Sequence, residues 1–360
     1  MNRDGVARHA FAGLARRMKE KEIAGLRESA SELLKLRGEK AVTNEIASAL
    51  KKRMGTVTVV AEYRRKGSQL GMVEEVLPPN IMSREFRTGG ATAVAVLLEK
   101  ATGGCSVEDV ASFVAEQAMA ARDYPGPCPV IWHDLVIDEV QLAQASSTGA
   151  KGVVLSMGVL GSDFPEMVGA AAEYGLEVVV EVKSKAELDA LKASPIAAAV
   201  TMVAVSGMAV DDQLAMAAGI PDSMVKIALL PVYDDKALIE VRRSASPGRA
   251  RVARAQVTRN CAQRPPTSTL HHFLQAEDAW RLRDAGFNSI WASEVLVKFG
   301  LADGEGPMSI IRAIKVTEPY TLPLAAIVHT LLSASYVVTI MRRGALREER
   351  KECTKPRRCQ

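Results

Sequence analysis

Two glutamates end strand-like runs of apolar residues, and they are the first side chains whose position suggests chemistry. Glu62 follows the largely β-branched run 57–61, VTVVA, and Glu181 follows the valines at 178–180. A carboxylate buried without a partner is costly, whereas the carboxyl ends of parallel barrel strands are where catalytic groups lie. A carboxylate placed there can act as a general acid or base. These positions make Glu62 and Glu181 candidates for catalytic residues.

Three cations follow the first of these glutamates, at Arg64, Arg65 and Lys66. Cations beside a carboxylate at a strand end can hold an anionic substrate while the carboxylate moves a proton. The alternative is a buried strand followed by a solvated charge cluster. The stretch 56–68 by itself leaves both interpretations open.

The composition is that of a soluble globular protein, with 48% hydrophobic and 24% charged residues in 360. That length permits one large α/β domain with appendages or two smaller domains. The net charge of +4 is small, and the excess of basic over acidic residues is concentrated in segments 242–264 and 342–358. We therefore expect no specific nucleic-acid partner.

The five cysteines are scattered, without a CxxC pair or metal-ligand spacing. This distribution favours a reducing compartment and predicts no metal site. The N-terminus has neither an apolar signal core nor an acid-poor transit pattern, which predicts a cytoplasmic protein. An organellar or membrane-anchored location stays open as an alternative.

Strand-like and helical segments alternate along most of the chain. The apolar runs that predict strands are 57–61, 91–98, 129–132, 152–155, 177–182, 199–205, 225–230 and 288–292. Glycine precedes some of these runs, as at Gly149 and Gly175, where a helix would end. Eight strand–helix units in residues 56–315 predict a (β/α)8 TIM barrel, and leucine spacing predicts a helical extension over residues 1–55. A doubly wound open sheet is the alternative, which the lack of GxGxxG after the first strand disfavours.

Six sequence segments, taken in their order along the chain, resemble the motifs of a known family. They are MKEKEIAGLRE before the barrel, VVAEYRRKGS on the first strand, AVAVLLEKATGGCSVEDV on the second, PVIWHDLVIDEVQLAQASSTGAKGVVLSM on the third and fourth, YGLEVVVEVKSKAELDAL on the fifth and AGFNSIWASEVLVK on the eighth. In this order they resemble the indole-3-glycerol-phosphate synthase family of tryptophan biosynthesis. The resemblance implies a lyase that closes an anilino-deoxyribulose phosphate to indole-3-glycerol phosphate, losing carbon dioxide and water, without a metal or organic cofactor.

The resemblance also implies roles for particular residues. The first- and fifth-strand glutamates of the family match Glu62 and Glu181. The third-strand lysine, which is the family's general acid, falls on His133, and histidine can also donate a proton near neutral pH. The first-strand lysine, which pairs with the substrate carboxylate, falls on Arg64. We therefore expect Glu62, His133 and Glu181 to be catalytic and Arg64 to bind substrate.

Other positions of the family pattern are changed, which implies a degenerate active site. The strand-six asparagine falls on Ser206, and the eighth-strand glycine beside the phosphate falls on Ser293. We expect both serines to bind substrate. The strand-seven Glu-Ser pair falls on Leu229 and Leu230, which offer no polar chemistry and would leave no substrate pocket if they closed the barrel opening.

The contributions of catalytic groups that act together are not additive, so the loss of several of them can abolish the family's reaction. Three functions therefore stay open. The first is the synthase reaction, and the second is another sugar-phosphate lyase or isomerase reaction on the same barrel. In both, the partner is a phosphorylated small molecule. The third is binding or assembly by a catalytically impaired barrel. The sequence fixes neither the true substrate nor the oligomeric state.

Residues 242–275 interrupt the predicted seventh helix. They are rich in Arg, Ser and Pro without sustained periodicity, which predicts a disordered insertion. The pair His271-His272 within it has no partners at metal-ligand spacing. A basic loop that binds nucleic acid and a stretch of non-protein-coding origin are the alternatives.

Residues 316–360 form an apolar and then basic tail. Segment 321–341 contains no charged side chain apart from His329 and is followed by arginines, a pattern compatible with a membrane anchor whose basic end faces the cytoplasm. Pro323 and several polar residues favour instead an apolar helix, or an aberrant tail after a barrel that ends near Lys315.

Overall fold

Eight parallel strands form a closed barrel. The computed structural model describes residues 3–51, 56–67, 71–72, 76–231, 267–298 and 307–315. The barrel strands are β1 (Thr58–Tyr63), β2 (Ala93–Leu97), β3 (Val130–His133), β4 (Gly152–Ser156), β5 (Glu177–Val182), β6 (Met202–Val205), β7 (Val225–Leu229) and β8 (Ser289–Ala292). Each strand pairs with the next, and β8 returns to β1, where Val60 lies opposite Trp291. The predicted TIM barrel is confirmed and the open-sheet alternative is wrong.

Helices precede and surround the strands. Those described are α1 (Arg3–Glu28), α2 (Ser31–Leu34), α3 (Glu45–Leu50), α4 (Pro79–Gly89), α5 (Val107–Met119), α6 (Glu139–Thr148), α7 (Met157–Leu160), α8 (Phe164–Glu173), α9 (Lys185–Ala193), α10 (Val210–Ala217), α11 (Thr267–Asp284), α12 (Glu294–Lys298) and α13 (Pro307–Lys315). Local signals set their ends. Ser106 and Asp109 form a capping box before α5. Gly149 ends α6 with a φ of 88°, as the sequence predicts.

The strands are buried on both faces, which explains their continuous apolar sequences. Along β1, Val59 packs in the outer core and Val60 belongs to the cluster inside the barrel. Side chains alternate along a strand, so Glu62, two residues after Val60, points inward at the carboxyl end. On β5, Glu181 follows the interior residue Val179 in the same way. Both glutamates therefore face the opening at the carboxyl ends, which we call the mouth.

The opposite opening, which we call the floor, is closed by α3. Ile46 and Leu50 are fully buried and join the interior cluster. The carboxylate of Glu177 accepts the backbone N–H groups of Ile46 and Ala47 at 2.7 and 2.8 Å, which caps the start of α3. Gly152 makes room for this packing, because a Cβ there would lie 2.5 Å from Cδ1 of Ile46.

Helix α1 is fixed at the mouth side of the barrel by a buried lysine. The ammonium of Lys19 lies 2.7 Å from Oδ1 of Asp134, directly after β3, and 3.8 Å from Oε2 of Glu99, after β2. Removing one partner of a buried ion pair is strongly destabilising. Lys19 therefore sets where the leader helix crosses the ends of β2 and β3.

Two predictions concern segments beyond the barrel strands. Of the predicted insertion 242–275, residues up to 266 lie outside the described part. Residues 267–275 belong to α11, so the prediction of a structureless segment is wrong there; they extend the helix that carries the amphipathic stretch EDAWRLRDAG. The tail 316–360, with the candidate span 321–341, also lies outside the described residues. None of the described helices is long and apolar enough to cross a membrane.

Candidate active site

The predicted site residues lie at the mouth in two hydrogen-bonded groups. The first group, which is centred on one carboxylate, contains Glu62, His133, Arg64 and Ser293, together with Trp291. The second group contains Glu181 and Ser206, together with Lys183. The first is supplied by β1, β3, β8 and the residues after β1 and β8, and the second by β5, β6 and the residues that follow them.

Glu62 is the centre of the first group, and its carboxylate oxygens are filled by donors. Oε2 accepts from Nδ1 of His133 at 2.6 Å and from Nε1 of Trp291 at 2.9 Å. Oε1 accepts from the hydroxyl of Ser293. The side chain is buried, so its hydrogen-bonding capacity is used within the protein.

These contacts determine the charge of Glu62. Burial by itself would raise its pKa, but the charge and hydrogen bond of His133, together with Arg64 and Ser293, lower it to about 2. A carboxyl group with such a pKa stays ionised at neutral pH. The arrangement suits Glu62 to a role as counter-ion, which differs from the acid/base role that the sequence predicts.

The counter-ion Glu62 raises the pKa of its hydrogen-bond partner, His133. Burial would lower its pKa, but the charge and hydrogen bond of Glu62 and the charge of Glu181 raise it. The ring also contacts Trp291 edge-on, with 5.5 Å between ring centroids. Because Nδ1 is held by Glu62, the protonated ring directs its Nε2–H elsewhere, and no described residue accepts that hydrogen bond. The side chain is 20% exposed, so a ligand can reach this proton.

Glu181 is the second carboxylate at the mouth. Its Oε1 accepts from the hydroxyl of Ser206 at 2.6 Å, and its Oε2 lies 3.0 Å from the ammonium of Lys183. Burial would raise the pKa of Glu181, but Lys183, His133 and Ser206 together lower it. Glu181 is therefore ionised near neutral pH, as a general base must be.

Arg64 is occupied by other contacts. Its Nε donates to the carbonyl of Lys66 at 2.7 Å, Nη1 donates to Ser293 at 3.1 Å, and Nη2 donates to the carbonyl of Thr102. Nη1 also lies 3.7 Å from Oε2 of Glu294. These contacts hold together the segments after β1, β2 and β8, and they favour a structural role over the predicted contact with a substrate carboxylate.

The two leucines of strand seven face opposite sides. Leu229 packs against the interior cluster and is partly exposed, whereas Leu230 is buried in the outer core. The hypothesis that both close the mouth is therefore wrong for Leu230, because neighbours along a strand alternate in direction. Only Leu229 adds an apolar side chain to the interior.

Two residues of the site were missed by the sequence analysis, Trp291 and Lys183. Each lies two positions from a predicted site residue, Trp291 before Ser293 and Lys183 after Glu181. Inward positions recur every second residue along a barrel strand. That period is the signal that could have identified both.

The mouth thus combines an imidazole whose pKa is raised with a carboxyl group whose pKa is lowered. Two titratable groups with pKa values pushed apart can donate one proton and accept another in a single reaction. Within the part of the chain that the structure describes, no group of three or more His, Cys, Asp or Glu side chains is arranged to hold a metal ion. The chemistry that these side chains can support is acid–base catalysis.

Comparison with known proteins identifies a family. The family model described as indole-3-glycerol phosphate synthase matches residues 14–217. Two proteins with that name are similar over 174 residues each, or 48% of this chain and 64% of their own length: one from Pelodictyon phaeoclathratiforme at 28% identity and one from Opitutus terrae at 26%. A third, from Bacteroides thetaiotaomicron, is 30% identical over 131 residues, which are 36% of this chain and 47% of the relative. The chain therefore spans less than two thirds of the length of these relatives.

Proposed function

The chain belongs to the indole-3-glycerol phosphate synthase family of tryptophan-biosynthesis lyases, and on that premise we propose that it closes an anilino-deoxyribulose phosphate to indole-3-glycerol phosphate. The observation that supports this activity is the pairing at the mouth of His133, held protonated by Glu62, with the ionised Glu181. The reaction needs an acid and a base that act on one substrate.

In the proposed mechanism, Nε2 of His133 protonates the substrate's ketone oxygen while the ring carbon that bears the carboxylate attacks the ketone carbon. The carboxylate then leaves as carbon dioxide, and its bonding electrons restore the aromatic ring. The new hydroxyl group receives a second proton and leaves as water. Glu181 removes the proton whose loss completes the indole. Two protons are donated and one is recovered, so the reaction takes up one proton from solvent, as the conversion of a carboxylate to neutral carbon dioxide requires.

Glu62 has a supporting part in this mechanism. It favours reprotonation of His133 from solvent after the first donation, so that Nε2 can also protonate the leaving hydroxyl, and it keeps Nε2 rather than Nδ1 directed to the substrate. Trp291 and Ser293 hold the carboxylate in that geometry. Ser206 orients Glu181 in the same way from β6.

An indole fluorescence assay on the full chain tests the proposal. We expect product on addition of the anilino-deoxyribulose phosphate, and we expect Glu181→Gln and His133→Asn each to lower kcat about 10²- to 10⁴-fold, the usual contribution of a general acid or base. Glu166→Gln, at an exposed position on α8, is the control and should retain activity. A folded wild-type protein that neither binds nor converts this substrate would overturn the proposal.

A catalytically silent binding barrel is the second candidate, and Leu229 is the observation that favours it. This side chain places an apolar group at the end of β7, where a mouth that stabilises a charged substrate would use a polar one. Substrate binding without turnover in the wild type, unchanged in Glu181→Gln, would select this function over the lyase.

A further inference from the structure

Lys183 is the cation at the mouth for which the proposed reaction has so far no use. Its ammonium lies 3.0 Å from Oε2 of Glu181, and its side chain is 47% exposed. Its charge also acts on His133. Lys183 is therefore in contact with Glu181, close enough to His133 for its charge to act on the pKa of that ring, and open to a ligand from solvent.

The backbone of Lys183 is fixed, whereas its ammonium is partly exposed and paired with Glu181. Its N–H donates to the carboxylate of Glu187 at 2.8 Å, and Ser184 caps the start of α9. The aliphatic stem runs beside Gly207, which has a φ of 65°; a Cβ there would lie 3.9 Å from Cγ of Lys183. A lysine whose backbone is fixed and whose ammonium is partly exposed can exchange one anionic partner for another by rotating its side chain, without a movement of the strand.

Arg64, in contrast, lacks this freedom. It is buried, and each of its three guanidinium nitrogens donates to a protein acceptor. Pulling it toward a ligand would break contacts that join three loops, and a buried ion that loses its partners is strongly destabilising. The anionic group nearest the reacting atoms needs another cation.

We propose that Lys183 binds the ring carboxylate of the substrate and holds it until it leaves as carbon dioxide. This inference rests on the proposed function. The carboxylate is attached to the ring carbon that forms the new bond, so it must lie beside the acid and the base. The phosphate is at the far end of the sugar chain. Lys183 is adjacent to Glu181, and so its position fits the carboxylate and not the phosphate.

The exchange of partners has a chemical consequence. In the free protein Lys183 pairs with Glu181, and this contact helps to lower the pKa of that carboxyl group. When Lys183 turns to the substrate carboxylate, Glu181 loses part of that stabilisation and becomes a stronger base. The base is thus strengthened only when a carboxylated substrate is present.

Two unreactive probes test the proposal through binding alone. One is the substrate with its ketone reduced to an alcohol, and the other is the same compound without the ring carboxylate. We expect the full wild-type chain to bind the first about tenfold more tightly, in line with a charge-assisted hydrogen bond. Lys183→Met should remove this preference while it leaves the affinity for the second probe unchanged. Lys183→Arg should restore part of the preference.

Lys185→Met is the matched control, since Lys185 is an exposed lysine two positions along the chain. It should keep the tenfold preference. A Lys183→Met variant that keeps the preference, or that loses affinity equally for both probes as expected of a phosphate contact, would overturn the assignment and leave the proposed function intact. A wild type that binds neither probe would overturn both.

Discussion

The barrel has a buried glutamate at each end, and the two are held in opposite ways. At the mouth, Glu62 receives its hydrogen bonds from side chains, one of which is the cation His133, and its pKa is lowered to about 2. At the floor, Glu177 receives its hydrogen bonds from the neutral backbone N–H groups of Ile46 and Ala47. Burial outweighs these contacts, and the pKa of Glu177 is raised.

The difference shows that burial does not by itself decide in which direction the pKa of a barrel carboxyl group shifts. A full positive charge within hydrogen-bond distance of Glu62 more than offsets desolvation, whereas two backbone dipoles at Glu177 do not. Glu62 is thereby suited to hold a proton on its neighbour, and Glu177 to anchor a helix. The same residue type thus supports chemistry at one end and closure at the other.

The largest effect should come from making the same substitution at both ends. Glu62→Gln removes the counter-ion of His133, so the imidazole loses the charge that keeps it protonated, and we expect kcat to fall about 100-fold or more. Glu177→Gln lies at the floor and should leave kcat within about twofold. The measurement is kcat of the two purified variants by steady-state kinetics. Circular dichroism checks that both variants are folded. Equal losses in both variants would show that the mouth and the floor do not differ in function.

The pH dependence of kcat/KM should separate the two ends further. His133 must be protonated, and its raised pKa places the alkaline limb above pH 6.5; Glu181 must be ionised, and its lowered pKa places the acidic limb below pH 4.5. Glu62→Gln should move the alkaline limb to lower pH, because the charge of Glu181 alone then opposes the effect of burial on the pKa of His133. Glu177→Gln should move neither limb. An alkaline limb unchanged by Glu62→Gln would contradict the counter-ion role.

The smallest effect should be on stability at the floor. Glu177→Gln replaces one acceptor with a donor that faces a backbone N–H, at a cost of about 1 kcal/mol in the free energy of unfolding. A raised folded-state pKa gives stability that is present below the unfolded value near 4.5 and lost as the pH rises through the folded pKa. The difference between wild type and Glu177→Gln, measured by urea unfolding, should therefore be larger at about pH 4 than at about pH 8.

Glu62 should show the opposite slope in the same unfolding experiments. Its lowered pKa gives stability that is present above pH 4.5 and lost as the pH falls toward about 2. The difference between wild type and Glu62→Gln should therefore shrink on acidification. If the difference in unfolding free energy between wild type and variant changed with pH in the same direction at both positions, the contrast between the mouth and the floor would be wrong.

The strands of this fold were predictable because each is a short, continuous apolar run. A strand buried on both faces needs no alternation, and β-branched residues make up at least half of β1, β5 and β6. The helical character of residues 267–275 was not predictable in this way. They follow a long polar stretch without periodicity, and α11 is described only from Thr267.

The site was predictable in position and less so in role. Strand ends identify Glu62 and Glu181 as mouth residues. The partners that set the charge of Glu62 are distant in sequence, with Trp291 separated from it by 229 positions and Ser293 by 231. Only the closure of β8 onto β1 brings them together, so no local pattern could distinguish a counter-ion from an acid.

The closed floor also determines where substrate can enter the barrel and where products can leave it. In the part of the chain that the structure describes, Ile46 and Leu50 fill the floor end of the barrel interior, so we expect substrate and products to exchange with solvent at the mouth. Carbon dioxide and water, if they form as proposed, must escape around a product that still occupies the entrance. Small by-products would then diffuse out first, and departure of the bulky indole would limit how soon the next substrate can enter.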